Sequence, residues 1–402
     1  MKVATKFFQK NAFIYLEGKN ASKNFFIVKK GQILIKKSDP ILGNNEETKG
    51  TGYIFGIIQC ITGISDEEAV QALTDCEIFV IAKDKIDELY LEHPKVILKI
   101  LSEYSEILRT LDKDLLQYDF FSPFFNREEK IFEIANKYIA LKQLNKASHL
   151  LTFTKDEFSN KPDVSEKINL LLGKLPKTEI SGITHIITEK VFPAQSVIFT
   201  EYELGHNFYI IKSGRIKISK LRHDREVVLA ILDEGDIFGE MAMLNDKPRN
   251  ATATAMVDSE IMIVDKKSID KLPSPLFVKI LFFLTQRIWM VEQQLICFKL
   301  PLPTSKIYYL LTAKVKQMVQ DQKREYEKNI TFKFPVEELY QLLGFTEKNK
   351  KEIDEFLKDK NFEFYKDSIK IRNIADLFDR NSYHFSKALH AYSGSVSKKI
   401  NF

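Results

Sequence analysis

The sequence predicts an α+β protein, and three observations carry that prediction. Runs alternate apolar and polar residues around glycines, the whole pattern recurs at one fixed displacement, and stretches of helical periodicity lie between and beyond the two copies. The alternation is plain in Phe208-Tyr209-Ile210-Ile211-Lys212-Ser213-Gly214-Arg215-Ile216-Lys217-Ile218, where Gly214 separates two strand-like runs. Sliding the chain by 183 residues lays Val28-Lys29-Lys30-Gly31-Gln32-Ile33-Leu34-Ile35 on Ile211-Lys212-Ser213-Gly214-Arg215-Ile216-Lys217-Ile218 without a gap. Gly52, Phe55 and Gly56 then fall on Gly235, Phe238 and Gly239, and Ala72, Asp75, Glu77 and Ile78 on Ala255, Asp258, Glu260 and Ile261. A displacement shared from Val28 to Ile78 marks a duplicated domain of short antiparallel strands.

Composition narrows the class. At 402 residues, with 44% hydrophobic and 29% charged residues, the chain is expected to be globular, to hold several domains and not to be disordered. Cys60, Cys76 and Cys297 form no Cys-x-x-Cys pair and meet no histidine cluster, so they read as buried hydrophobes in a reducing compartment, and no metal is expected. Met1 to Lys10 lacks the apolar run of a signal peptide. Leu276 to Leu295 is the most apolar stretch, but Lys279, Gln286, Arg287, Glu292, Gln293 and Gln294 interrupt it, so no membrane span and a cytoplasmic location are expected. His185, His206 and His223 form no constellation with a nucleophile, which argues against an enzyme. Residues 303 to 402 carry 19 Lys and Arg against 14 Asp and Glu, and so hold all of the formal charge of +5, which hints at a polyanionic partner for that end.

The segment Phe238-Gly239-Glu240-Met241-Ala242-Met243-Leu244-Asn245-Asp246-Lys247-Pro248-Arg249-Asn250-Ala251-Thr252-Ala253 suits a phosphate beside a ribose. A carboxylate at Glu240 accepts from a sugar hydroxyl, the guanidinium of Arg249 grips phosphate oxygens through parallel charge-assisted bonds, and Gly239 lets backbone approach a ligand closely. The plainer reading is a surface ion pair of Glu240 with Arg249 in an ordinary turn. The wording resembles the cyclic nucleotide-binding domain family, whose cassette runs Phe-Gly-Glu, small and apolar residues, Pro-Arg, a small residue and Ala. Glu240 lies nine residues before Arg249, as in the regulatory subunits of cyclic-nucleotide-dependent kinases. The resemblance implies two β-rolls of about eight strands each. It also implies a ligand site of Phe238, Gly239, Glu240, Met241, Ala242, Arg249, Asn250 and Ala251. There Arg249 and amides near Gly239 and Ala242 would hold the phosphate, and Glu240 the 2'-hydroxyl. Asn250 stands where the family has a small residue or threonine, which leaves cAMP and cGMP both open.

The first copy lacks the site chemistry. Ile57 stands where Glu240 stands and Asp66 where Arg249 stands, and an apolar group cannot accept from ribose while a carboxylate repels phosphate. Residues 1 to 120 are therefore expected to keep the fold without the ligand. A site for a cationic or neutral ligand on Asp66, Glu67 and Glu68 is the weaker reading.

Between the copies, Arg127 to Leu175 has helical periodicity. Ala135, Tyr138, Leu144, Ala147 and Leu151 sit where a tetratricopeptide hairpin places its contacts. A single hairpin cannot bury its own face, so a helical spacer is expected, its helices ended by Pro162 and by Gly173 to Pro176, with peptide binding as the alternative.

After the second copy, Phe277, Ile280, Leu281, Leu284, Ile288, Val291 and Leu295 follow helical spacing. This is either a lid on its own roll or, by resemblance to the Crp/Fnr regulators, a helix that forms a homodimer through residues 276–295 and touches the nucleotide base. That carry-over makes Trp289, Val291, Glu292 and Gln293 candidate base contacts. The same resemblance reads Leu302 to Ile307 as a helix start, Phe334 to Gly344 as the first helix of a helix-turn-helix, Thr346 as a cap, Ile353, Phe356 and Leu357 as inward-facing, and Phe362 to Ile371 as a wing. On that reading Lys348, Lys350 and Lys351 would meet DNA phosphates and Asn349 could read adenine. Glu347 and Glu352 occupy the family's usual arginine positions, and five lysines face five acids from Thr346 to Lys360.

The expectation is thus a fold of two tandem jelly-roll-like, cyclic-nucleotide-binding β-rolls with a helical insert and a winged helix. Its parts are a degenerate domain (1–120), the insert (121–178), a competent domain (179–272), a connecting helix (273–301), a winged helix (302–374) and a C-terminal helix with a loose tail (375–402). The function expected is a cyclic nucleotide sensor, cAMP or cGMP, acting as a Crp/Fnr-type transcriptional regulator on double-stranded DNA. The alternative is a signalling adaptor whose winged helix binds protein.

Overall fold

Alternating side chains become alternating faces in the first copy. A computed structural model describes residues 3–17, 23–39, 41, 43–63, 68–115, 127–178, 187–222, 225–245, 247–266, 274–321, 329–332, 334–345 and 347–399. The strands are β1 (Ala4–Phe8), β2 (Phe13–Tyr15), β3 (Asn24–Lys30), β4 (Ile33–Asp39), β5 (Gly43–Lys49), β6 (Ile54–Phe55), β7 (Glu68–Ala72) and β8 (Cys76–Ala82), with helix α1 (Ile57–Thr62) after β6. They form two antiparallel sheets, β1-β8-β3-β6 and β2-β7-β4-β5. The apolar members Phe26, Val28, Ile33, Ile35, Phe55, Val70, Ala72, Cys76 and Ile78 make one core, while Lys29 and Glu77 pair across neighbouring strands at 2.7 Å on the solvent side.

The second copy repeats this wiring. Its strands are β9 (Ile187–Phe192), β10 (Val197–Phe199), β11 (Asn207–Ser213), β12 (Ile216–Arg222), β13 (Arg225–Leu232), β14 (Ile237–Phe238), β15 (Thr252–Ala255) and β16 (Ser259–Asp265), with α7 (Glu240–Asn245) after β14. The sheets run β14-β11-β16-β9 and β10-β15-β12-β13, the same orders as in the first copy. Register repeats too, since Phe26 faces Phe55 and Tyr209 faces Phe238. Helices α2 (Ile86–Glu92) and α3 (Pro94–Leu115) follow the first roll.

Two units result, Met1–Tyr104 with Ser274–Phe402, and Ser105–Pro273. The second unit contains the second half of α3, the insert and the second roll. The insert has three helices, α4 (Arg127–Ala140), α5 (Leu144–Thr154) and α6 (Pro162–Leu172). Pro162 therefore starts a helix and does not end one, because its missing N–H is no loss in a first turn. Ala135, Tyr138, Ala147 and Leu151 are fully buried, but Leu144 is 39% exposed. The face that a lone hairpin could not cover is covered here by α6 and by Leu221 and Tyr202 of the second roll. The insert is thus a fixed part of its unit and not a spacer.

In the first unit the roll is followed by α8 (Ser274–Lys299), α9 (Pro303–Asp321), β17 (Ile330–Phe332), α10 (Val336–Leu343), α11 (Lys350–Phe356), β18 (Phe362–Phe364), β19 (Ile369–Ile371) and α12 (Ile374–Lys399). The strands pair antiparallel in the order β17-β19-β18. Gly344 ends α10 in the left-handed conformation (φ 64°). Phe356 is buried, whereas Leu357, expected to face inward, is 40% exposed. Thr346 lies outside the described residues.

Two expectations change. By length and composition α8 would suit a membrane span, with mean hydropathy 1.3 over its best window. Its apolar stripe, Phe277, Ile280, Leu281, Leu284, Ile288, Val291 and Leu295, is buried within the chain, so the residues expected to form a dimer seam are core. The expected loose tail is helix, since α12 runs unbroken through Ser393-Gly394-Ser395 to Lys399. Ala388, in its middle, packs on Ile41, Ile296 and Leu300, and tertiary packing of this kind outweighs the low helix propensity of one glycine. Cys60, Cys76 and Cys297 are free and buried, and burial pushes the thiols of Cys60 and Cys297 up to about 11 and about 12.

Candidate functional site

The cassette between β14 and β15 is built from the inside out. Gly239 has a left-handed backbone (φ 80°), and a Cβ there would stand 2.8 Å from Arg249 Nη1 and 2.9 Å from the Tyr209 ring. Only glycine permits that turn and that approach. It leads directly into α7, whose first residue is Glu240.

Glu240 is 2% exposed and Arg249 4% exposed, so the plainer reading of a surface pair does not apply. The Arg249 guanidinium lies 4.3 Å from the Phe199 ring centroid and 5.4 Å from that of Tyr209. Tyr209 stacks in turn on Phe238 at 5.0 Å. Arg249 Nη1 donates to the carbonyl of Gly239 at 2.6 Å. A Cβ at Gly205 would meet the guanidinium at 2.2 Å, so that loop presses flat against it. Backbone bonds complete the seat: the Tyr202 N–H donates to the Arg249 carbonyl at 2.9 Å, and the Arg249 N–H to the Glu203 carbonyl at 2.8 Å. Burial pushes the Tyr209 phenol up, partly offset by Arg249, so the ring stays neutral beside the cation.

Arg249 Nε is buried and has no hydrogen-bond partner among the described residues. A buried unpaired donor on a guanidinium is costly. An anion satisfies it, and a phosphate oxygen has the charge and size to do so. The residues present therefore fit a phosphate-bearing ligand. Ala242 and Ala251 are buried and small beside these anchors, and Met241 is buried at the same helix.

The second half of α3 lies on the same segment. Arg109 Nη1 donates to the Pro248 carbonyl at 3.2 Å, and Asn250 Nδ2 donates to Asp112 Oδ2 at 2.8 Å. Lys247 pairs with Glu106 at 2.7 Å. Burial lowers the Arg109 pKa, opposed by Glu106, Asp112 and Glu240. Asn250, expected among the ligand contacts, thus has its amide on α3.

The other expected site residues belong to the first unit. Trp289, Val291, Glu292 and Gln293 belong to α8 in the first unit, where Trp289 and Val291 are buried, Glu292 pairs with Lys37 at 2.8 Å and Gln293 accepts from the Tyr309 hydroxyl at 2.8 Å. Lys348, Lys350 and Lys351 are exposed, and Asn349 precedes α11 half-buried. Asp66, Glu67, His185 and His223 lie outside the described residues. Missed by sequence reasoning were Phe199, Gly205, Tyr209, Arg109 and Asp112, none of which falls in the cassette. The one available signal was the displacement of 183 residues, which sets Tyr209 against Phe26.

Comparison with known proteins agrees with this construction. The sequence profile of the cyclic nucleotide-binding domain matches residues 5–93 and 189–274, so the chain carries two copies of that domain. A cAMP-dependent protein kinase regulatory subunit of Yarrowia lipolytica is 33% identical over 105 residues, 26% of this chain and 28% of that protein. A CRP-like cAMP-activated global transcriptional regulator of Mycobacterium tuberculosis is 32% identical over 91 residues, 22% of this chain and 41% of that protein. The chain therefore spans less than half the length of the curated relatives it matches. Among solved structures, the regulatory domain of Toxoplasma gondii PKA with cAMP is 16% identical, with 68% of this chain and 83% of that chain covered and a TM-score of 0.21. A CooA mutant from Carboxydothermus hydrogenoformans is 21% identical, with 51% and 92% covered and a TM-score of 0.39. Scores this low carry no conclusion.

Proposed function

We propose that the second roll binds a cyclic nucleotide, cAMP or cGMP, and that the chain is a cytoplasmic, non-enzymatic sensor of it. The observation that carries the reading is the buried Arg249, clamped by Phe199, Tyr209 and Gly205, with Nε left without a partner among the described residues. Arg249 and the amides near Gly239 and Ala242 hold the cyclic phosphate, and Glu240 accepts from the ribose hydroxyl. Calorimetry with cAMP and cGMP on wild type and Arg249→Ala tests it. One nucleotide is expected to bind the wild type, and the substitution to weaken binding roughly a hundredfold; heat from neither nucleotide, or a variant that binds as tightly as wild type, would refute it.

For the output, we propose a Crp/Fnr-type transcriptional regulator acting on double-stranded DNA. The element order α9, β17, α10, α11, β18, β19 with sheet order β17-β19-β18 supports a winged-helix reading, in which the exposed lysines at the start of α11 supply phosphate contacts. The second reading, a signalling adaptor that docks protein, is favoured by Glu347 and Glu352 among those lysines and by the match to kinase regulatory subunits. Gel shifts on genomic fragments at low salt with ligand present separate the two: a ligand-dependent shift supports the regulator, and no shift on any fragment supports the adaptor.

A further inference from the structure

The insert docks on the second roll at β12, at β13 and at the loop Thr200 to Gly205, and that loop is what clamps Arg249. At the start of α4, Arg127 is fixed by Glu157 through Nε at 2.6 Å and Nη2 at 2.8 Å, and Nη2 also donates to the Tyr202 carbonyl at 2.9 Å. Tyr202 has φ 68°, a left-handed conformation that a non-glycine residue keeps only where its surroundings hold it. Its N–H is the donor to the Arg249 carbonyl, and the next residue, Glu203, accepts from the Arg249 N–H. Further along α4, the Tyr138 hydroxyl donates to Glu201 Oε1 at 3.3 Å and lies 2.7 Å from Thr252 Oγ1. The Glu201 N–H donates to that same threonine hydroxyl at 3.0 Å. The loop is thus fixed from the insert at both Glu201 and Tyr202, and it delivers Gly205 against the guanidinium. In the first roll the position of Thr252 is Ala69.

We infer that Arg127 and Tyr138 are positioning residues for Arg249, so that the affinity of the second roll for the phosphate of its ligand is set by helices outside the roll. This rests on the reading of the second roll as a cyclic nucleotide site. An orphaned donor is useful to a ligand only if it is held where the ligand arrives, and the loop that does the holding is itself held by the insert.

The test is a double-mutant cycle by calorimetry on the full chain with cAMP and cGMP, at a temperature where each protein's melting curve shows it folded. Arg127→Ala is expected to weaken binding about tenfold and Tyr138→Phe about threefold. With lysine in place of Arg249 the further loss from Arg127→Ala should shrink to less than twofold, because a positioning effect acts only through the guanidinium it positions. Lys167→Ala, which removes the α6 ammonium from the Phe132 ring at 4.2 Å, should lower the melting midpoint slightly and leave affinity unchanged. If Arg127→Ala does not fold, Glu157→Gln and Tyr138→Phe enter the same cycle. Variants that bind within twofold of wild type, or an Arg127→Ala penalty undiminished beside lysine at 249, overturn the inference while the ligand reading stands. A wild type silent to both nucleotides overturns both.

Discussion

The two rolls share a backbone and differ in what it holds. Both place a left-handed glycine after the sixth strand, Gly56 at φ 73° and Gly239 at φ 80°, and both begin the next helix at the following residue. In the first roll that residue is Ile57, fully buried. The aromatic pair Phe26 and Phe55, 5.2 Å apart, is joined there by Tyr15, whose hydroxyl donates to Glu68 at 2.5 Å. In the second roll the residue is Glu240, and the equivalent pair Tyr209 and Phe238 carries the Arg249 cation above it. Alternation and a turn glycine are enough for the roll, whereas the site needs two charged side chains and the loop that seats them. After duplication the first requirement survived in both copies and the second in one.

The sharpest way to break that comparison is to exchange the residues. Ile57→Glu puts a carboxylate into the apolar core of the first unit, where Asp66 stands at the position of Arg249, and should cost roughly 3 to 4 kcal/mol of stability. The urea midpoint of the first unit measures it, and a loss under about 1 kcal/mol would show that the first roll keeps a polar pocket. The reverse exchange, Glu240→Ile, should leave stability nearly unchanged and remove ligand binding.

Next in size is the loss of Arg249. Truncation to alanine removes a charge-assisted fork worth about 3 kcal/mol, or roughly a hundredfold in affinity. Wild type should bind one nucleotide per chain by calorimetry, and a stoichiometry of two would mean that the first roll is not degenerate.

What the sequence showed was whatever is local or repeated. The cassette from Phe238 to Ala251 is contiguous, and the repeat identified the strands because period-two alternation survives in both copies. The seat of Arg249 was not visible, because Phe199 and Gly205 lie upstream of it and no spacing rule joins them to the cassette. Likewise Tyr138 on Thr252 and Arg127 on Tyr202 are tertiary bonds, so the insert read as a spacer. The stripe of α8 was legible as apolar, but periodicity does not say whether a helix covers its own chain or a second copy.

The insert marks a third difference between the rolls. Glu226, on β13, pairs with Lys146 of α5 at 2.7 Å and with Lys217 at 3.2 Å, while its counterpart in the first roll is Gly43. Burial raises the Glu226 pKa, but the two lysines and the Ser219 hydroxyl outweigh it and hold the carboxyl at about 2. With the folded value below the unfolded one, the stabilisation is full above the unfolded pKa of about 4.5 and fades as pH falls towards 2. Glu226→Gln should therefore cost the second unit roughly 2 kcal/mol at pH 6 and progressively less between pH 4.5 and 2. Urea midpoints of wild type and variant across that window check it, and a difference that stays constant with pH would separate Glu226 from the lysines.

The smallest effect concerns Asn250, which stands inside the cassette yet gives its amide to Asp112 of α3 at 2.8 Å. Its neighbour contact, Arg109 to the Pro248 carbonyl, runs from the same helix to the same segment. Arg109 is 9% exposed, with Nε and Nη2 lacking partners among the described residues, so α3 braces the cassette with a buried cation. If Asn250 belongs to that brace, Asn250→Ala should lower the stability of the second unit by about 1 kcal/mol and change nucleotide affinity less than threefold. If it belongs to the ligand set, affinity should fall tenfold or more with little change in the melting midpoint. The two outcomes differ because a hydrogen bond to α3 exists before ligand arrives, whereas a bond to the ligand contributes nothing to the free protein.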